Sequence, residues 1–220
     1  MENDFLTVMP NLRVVCDNVV LKIPTLEQGV ALAKIAYDGL FPDGEDITIS
    51  GWYDPKNPAA NAFSVMEHLF RSWKTLGQSP LRLPMVVMEN NVVVGTQSFG
   101  DTTNAFKITR ELGTGSYLIP DARGKGVGTK ARHCALALGF NILGASEMVT
   151  SALATNIASN RVSEKCGYLP DGKQIISDRG QRKVLNRYRL TREQYRASKH
   201  PIIRVRGYEQ LAQMFVPGEN

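Results

Sequence analysis

Between residues 123 and 129 the chain reads Arg-Gly-Lys-Gly-Val-Gly-Thr, and these alternating glycines constrain the fold more than any other feature. Just upstream, Gly115–Pro120 (GSYLIP) reads as a strand, and a helix is predicted to begin near Thr129. A strand, a glycine loop and a helix in that order call for a sheet with the helix packed back on it. Residues without Cβ let the backbone pass close to a bulky anion. The first amides of a helix have no partners, and the helix dipole favours negative charge there. Arg123 and Lys125 add positive charge. The matching ligand is a phosphate or pyrophosphate; the competing reading is a turn that merely ends the strand.

Two familiar phosphate motifs do not fit. A dinucleotide fingerprint needs G-x-G-x-x-G, whereas the order here is G-x-G-x-G. Glu147 lies at a tolerable distance for a ribose-binding acid, but it follows a helix stop at Gly144 instead of ending a strand. A Walker A loop needs Gly-Lys-Ser/Thr, and this chain has Gly128-Thr129-Lys130. What fits is Arg/Gln-x-x-Gly-x-Gly, read as Arg123, Gly126 and Gly128.

Downstream, a β-like run Glu147–Ala154 (EMVTSALA) is followed by Asn156-Ile-Ala-Ser-Asn160-Arg-Val-Ser163-Glu-Lys-Cys-Gly167-Tyr168. Strand, Asn, short helix and Gly-aromatic, placed after the glycine loop, resemble the GNAT superfamily of acyl-CoA-dependent N-acyltransferases. The resemblance is nearest to the branch of the ribosomal-protein alanine N-acetyltransferases. It spans roughly Asn11 to Ala197, with the tight match between Gly115 and Tyr168.

The resemblance implies an α/β fold with a mixed, mostly antiparallel sheet flanked by helices on both faces. It implies acetyl-CoA or another acyl-CoA as cosubstrate, without a metal. The pantetheine arm would lie along Tyr117, Leu118 and Ile119, whose backbone N–H groups would face the thioester oxygen. Arg123, Gly124, Lys125, Gly126, Val127, Gly128 and Thr129 would hold the pyrophosphate. Asn156 reads from position alone as a helix N-cap; the family adds a hydrogen bond to pantetheine, and Asn160 would reach the same arm or the phosphates.

Ser163 stands where many members carry a Tyr that protonates the departing thiolate. It is a candidate acid, or a small polar residue at a packed helix turn. A primary ammonium titrates at about 10, so a base must take its proton. Glu111 is the candidate by family position and Asp101 its competitor; each also reads as an ordinary surface carboxylate. The acceptor is a small-molecule amine or a protein N-terminus. Two alternatives stay open: a donor thioester on an acyl carrier protein, and an acyl-CoA-binding module without activity.

At 220 residues, 43% of them hydrophobic, the chain is long enough for a substantial core. The expected organisation is one domain over residues 1–200 with a C-terminal tail over 201–220. No stretch is apolar enough to span a bilayer, and the start, MENDFLTVMP, is acidic where a signal peptide is basic. A cytoplasmic protein is expected. Cys16, Cys134 and Cys166 form no close pair, and His68, His133 and His200 form no metal spacing. The net charge of +5 suits anionic CoA, an acidic substrate or an acidic carrier protein. No nucleic-acid motif is present, and both a monomer and a homodimer are compatible with the sequence.

Leu12–Ile23 predicts short strands around an Asp17-Asn18 turn. Thr25 is expected to cap a helix over Leu26–Tyr37, with Leu26, Val30, Ala33 and Tyr37 on its buried face. Phe41–Asn61 reads as a loop in which Trp52 and Tyr53 are pocket walls or core anchors, and a second helix is predicted over Ala62–Leu76. A hairpin turns at Asn90-Asn91. A longer strand is expected over Phe106–Ile119, interrupted at Gly113–Gly115. The helix Thr129–Leu143 is apolar nearly all round and should be buried. His133 is expected to face outward from it. A closing hairpin turns at 178–180, Arg192–Arg196 looks helical, and the last twenty residues read as an irregular or partly helical tail.

Overall fold

The computed structural model describes residues 11–41, 49, 52–78 and 80–215. The first strands are β1 (Arg13–Cys16) and β2 (Val19–Lys22), followed by helices α1 (Leu26–Asp38) and α2 (Pro58–Lys74). Strands β3 (Arg82–Glu89) and β4 (Val92–Asp101) form a hairpin whose turn residues Asn90 and Asn91 both take positive φ. A helical turn α3 (Phe106–Thr109) precedes β5 (Glu111–Leu118), and α4 (Val127–Asn141), β6 (Glu147–Leu153) and α5 (Ile157–Lys165) follow. The chain continues through β7 (Leu169–Asp178), β8 (Gln181–Thr191), α6 (Arg192–Ala197), β9 (Arg204–Arg206) and α7 (Glu209–Phe215).

The described strands make one nine-stranded sheet in the order β7-β8-β6-β5-β4-β3-β2-β1-β9. All neighbours are antiparallel except β5 and β6, which the loop and α4 connect. Alternation along β3 sorts side chains to two faces. Met85 and Val87 join the main core with α4, while Val86 joins α1 and α2. The expected mixed sheet covered on both faces is what forms. Helix α4 is buried nearly all round, as its composition predicts. Among the described residues no helix is long and apolar enough to cross a membrane.

Four local expectations differ. Thr25 does cap α1 through a full capping box, but the buried face is Gly29, Leu32, Ala33 and Ala36, while Leu26, Val30 and Tyr37 are exposed. The small face wins because α2 packs close: a Cβ on Gly29 would lie 3.0 Å from Leu69 Cδ1. Helix α2 begins at Pro58, inside the expected loop, because Asn57 caps it and Pro sits in its first turn. The expected strand Phe106–Ile119 is instead a helical turn, closed by Arg110 at φ 56, and then a strand that runs unbroken through its glycines. Past residue 200 the tail is partly helical, as expected, but it is packed into the fold: β9 pairs with β1, and α7 buries Leu211, Met214 and Phe215 in the main core.

Candidate active site

Strand β5 is paired to β4 from Asp101↔Leu112 to Gly95↔Leu118. Its pairing to β6 covers only four positions, Glu111↔Glu147 to Thr114↔Thr150. From Gly115 onward β5 has β4 on one side and a cleft on the other. Ile119 N–H donates to Val94 O, so that amide points towards β4. Peptide groups alternate along a strand, so Tyr117 also turns to β4 while Ser116 and Leu118 turn to the cleft. Of Tyr117, Leu118 and Ile119, only Leu118 offers its N–H there. Ser116 is the second donor, which the sequence reading missed.

Beyond the strand, Gly124 (φ 72) and Gly126 (φ 83) take left-handed conformations that favour glycine. Gly126 caps α4 without a side-chain hydrogen bond, and the first helical bond is Lys130 N–H to Gly126 O. The amides of Val127, Gly128 and Thr129 therefore open the helix without an intrahelical partner, the arrangement an anion can use. Arg123 is differently placed from the expectation. Its guanidinium turns inward, donating to Leu118 O at 2.7 and 2.9 Å and to Leu40 O at 2.6 Å, over the Phe41 ring. It shapes the loop. Arg123 nonetheless borders the cavity, as do Arg161 and Lys165 of α5, whereas Lys125 is exposed and off the cavity wall.

One cavity of about 840 Å³ joins these parts. It runs from Gly124, Gly126, Gly128 and Thr129, past Ser116 and Leu118, to Trp52 and His68 on the α1–α2 side. A smaller cavity of about 300 Å³, which reaches Asp101, shares His68, Arg82, Ser98, Thr114 and Gly115 with it. The two meet where the open half of β5 begins.

Asn156 caps α5, accepting from Ser159 N–H at 3.0 Å, and lines the cavity as expected of a ligand-facing residue. Asn160 does not line it. Its amide donates to Leu153 O and Asn156 O, and its carbonyl accepts from Tyr188 and Asn186, so it ties α5 to β6 and β8. Ser163 is 1% exposed and donates to Ser159 O at 3.2 Å, a back-bond within its own helix that keeps it off the cavity wall.

The two carboxylates proposed as bases are occupied. Glu111, at the closed end of β5, pairs with Arg189 at 2.8 Å and accepts from the Thr102 hydroxyl. Asp101 accepts from the N–H groups of Thr103 and Phe106 and from the Thr103 hydroxyl. Burial pushes its carboxyl up, but these donors outweigh it and hold the group below the ordinary carboxylate value. Each carboxylate is thus held by a turn or an ion pair.

His68 of α2, considered in the sequence only as part of a metal spacing, lines both cavities. Desolvation, then the nearby charges of Arg82 and Arg71, holds the imidazole below its ordinary value, which favours its neutral form. The two loop aromatics divide the roles proposed for them. Tyr53 is an anchor, its hydroxyl accepting from Leu40 N–H at 2.9 Å, while Trp52 lines the cavity with its ring 5.4 Å from that of Tyr117. Burial pushes the Tyr117 phenol well above its ordinary value. His133 does not face outward as expected: it packs against His200, ring centroids 5.8 Å apart. Among the described residues no cluster suited to a metal ion is present.

Residues 35–169 match the family described as Acetyltransferase (GNAT) domain. Solved structures with the same fold include Mycobacterium smegmatis RimJ in complex with CoA-disulfide, 16% identical, covering 85% of this chain and 90% of that one, TM-score 0.69. The Microcin C7 self immunity acetyltransferase MccE in complex with acetyl-CoA and AMP is 17% identical, covering 80% and 93%, TM-score 0.64. A chimera of the Vibrio cholerae spermidine N-acetyltransferase SpeG and hSSAT is 14% identical, covering 83% and 100%, TM-score 0.65.

Proposed function

Because this chain belongs to the GNAT acetyltransferase family, and is by that membership an N-acyltransferase, we propose that it transfers an acyl group from free acyl-CoA, acetyl-CoA first, to a primary amine. The observation that carries the reading is the half-paired β5 beside an uncapped helix start, with one cavity joining them. Relatives of the same fold are solved with CoA or acetyl-CoA. An extended pantetheine fits the open edge of β5, where Ser116 and Leu118 offer N–H groups to carbonyl oxygens. A thioester oxygen gaining negative charge is stabilised by such donors, each worth about 3 kcal/mol of barrier. The amides of Val127, Gly128 and Thr129 suit the pyrophosphate, and Arg161 and Lys165 suit the remaining phosphate charge.

The amine enters from the α1–α2 side, past Trp52, and meets the thioester near Gly115. The neutral His68 imidazole takes its proton, directly or through water. The acceptor is a small-molecule amine or a protein N-terminus; a cavity wall mixing Trp52, Ser64, His68 and Arg82 excludes neither. Three free, buried cysteines support a reducing, cytoplasmic setting.

The test is mass spectrometry of a mixed amine library with acetyl-CoA, with thiol release followed in parallel. An acylated amine is expected, and acetyl-pantetheine should be a far poorer donor because it lacks the phosphates the helix start holds. Transfer from a charged carrier protein without transfer from acyl-CoA would overturn the donor assignment. Absence of both thiol release and CoA binding would overturn the reading as a whole.

A further inference from the structure

Arg132 is the one residue of α4 whose burial the apolar pattern does not explain. It is 2% exposed and lines the large cavity. Its Nε donates to Gln97 Oε1 at 3.2 Å and its Nη2 lies 3.4 Å from Ser116 Oγ. Nη1 is buried with no hydrogen-bond partner. No Asp or Glu pairs with it among the described residues. The titratable groups around it are Cys166 and Tyr168, and neither supplies an anion near neutral pH. Burial pushes the Cys166 thiol up to about 11 despite the pull of Arg132, and burial likewise raises the Tyr168 phenol. The Tyr168 ring lies 5.9 Å from the guanidinium in a cation–π contact, and its phenol is also a hydrogen-bonding neighbour of Arg132, but a neutral phenol brings no anion. An uncompensated buried charge is costly, and a guanidinium cannot shed its proton to escape the cost. Gln97, itself fully buried, is committed to holding it, because its amide also donates to Gly115 O at 3.0 Å.

Position says which anion the site is built for. Arg132 stands four residues after Gly128, on the same stripe of α4, about 6 Å down the helix. Ser116 stands two residues before Leu118, about 7 Å back along β5. Both walks lead from the phosphate site towards Gly115, where the cleft begins, and both stay on the α4 side of the sheet. A pantetheine laid along the open edge of β5 would bring its sulfur to that side, and an acyl group continuing through the cleft would reach Tyr117 and Trp52.

Resting on the acyl-CoA reading above, we infer that Arg132 is the residue that holds the departing thiolate of CoA, in place of a proton donor. The amine nitrogen bonds to the carbonyl carbon, the carbon–sulfur bond breaks, and its electron pair leaves on sulfur beside the guanidinium. The ammonium proton passes to His68. No acid is needed, which accounts for a site where Ser163 is turned away and the phenol common in the family at that position is missing.

The inference is tested by counting protons released when CoA binds, using calorimetry in buffers of different ionisation enthalpy, with desulfo-CoA as the reference. A free thiol titrates near ~8.5, so a two-unit lowering on binding releases about 0.8 proton per CoA at pH 7.5. That release is expected for CoA and not for desulfo-CoA. Arg132→Lys should keep much of it, and Arg132→Met should lose it while still binding desulfo-CoA; turnover of Arg132→Met should fall on the order of 10²-fold. Equal proton counts for CoA and desulfo-CoA in the unaltered protein would overturn the inference whether or not the variants fold. So would an undiminished count in Arg132→Met. Failure of both ligands to bind would instead overturn the acyl-CoA reading.

Discussion

The two halves of β5 have nearly the same length and opposite jobs. Residues 112–114 are paired on both sides, and Glu111, paired to β6, has its side chain locked to Arg189. Residues 115–118 are paired on one side only and border the cavity. Carboxylates cluster at the closed half, where Arg189 also meets Glu147 and Asp171. The open half is lined by hydroxyls, backbone amides and cations. Charge pairs hold a sheet together; unpaired backbone is what a substrate can pair with. The proposed chemistry therefore uses the half that the sheet leaves unfinished.

The largest effect expected from breaking this arrangement is Gly95→Ala. A Cβ there would run into the Tyr117 carbonyl and lie 2.9 Å from Leu118 Cα, so the open half of β5 must shift. Overpacking of this kind costs about 1–3 kcal/mol. Acyl-CoA affinity, read by calorimetric titration, should be lost at temperatures where the variant is still folded. Unchanged affinity would mean that the open half does not carry the ligand.

His68→Gln is next. Loss of a general base typically costs about 10²–10⁴-fold in rate. Because the imidazole is held below its ordinary value, the acid limb of kcat/KM should fall below about 6.5, and the variant should lack it. Stability has a definite sign as well. The folded protein disfavours the charged imidazole, so stability is full above the unfolded value and falls as pH drops from about 6.5 through the lowered folded value. Melting curves between pH 7 and 5 should be less steep in pH for His68→Gln. An unaltered acid limb in the variant would remove His68 from the chemistry.

The smallest effect belongs to the closed half. Glu111→Gln should cost about 1 kcal/mol or less, since the pair is partly exposed and Arg189 keeps Glu147 and Asp171. Turnover at saturating substrates should stay within about twofold, which stopped-flow thiol release can read. A loss of turnover comparable to that of His68→Gln would return the base role to Glu111 and erase the contrast between the halves.

The glycine loop, the helix behind it and the Asn156 cap were legible because each is a local matter. Positive φ needs glycine, a helix start needs a cap or leaves amides free, and alternation marks a strand wherever the strand lies. The sequence also carried the order of elements from 111 to 168, which bounds the fold. It could not say that Asn160 and Ser163 turn into the packing while Ser159 and Val162 face the cavity, because α5 is too short for periodicity to fix its rotation. Nor could it say that Gly29, not Leu26, meets α2.

What the sequence by itself determined was a glycine-rich, uncapped helix start placed at the end of a strand, since that depends on residues within reach of one another along the chain. Only the tertiary structure decided where the reaction can occur. His68, Arg132 and Ser116 come from α2, α4 and β5, and they meet because β5 and β6 part after Thr114. That parting is a relation between strands more than thirty residues apart, and so is the burial that leaves Arg132 without an anion. Neither follows from local preference, because both are set by which backbone groups and charges the folded chain fails to pair.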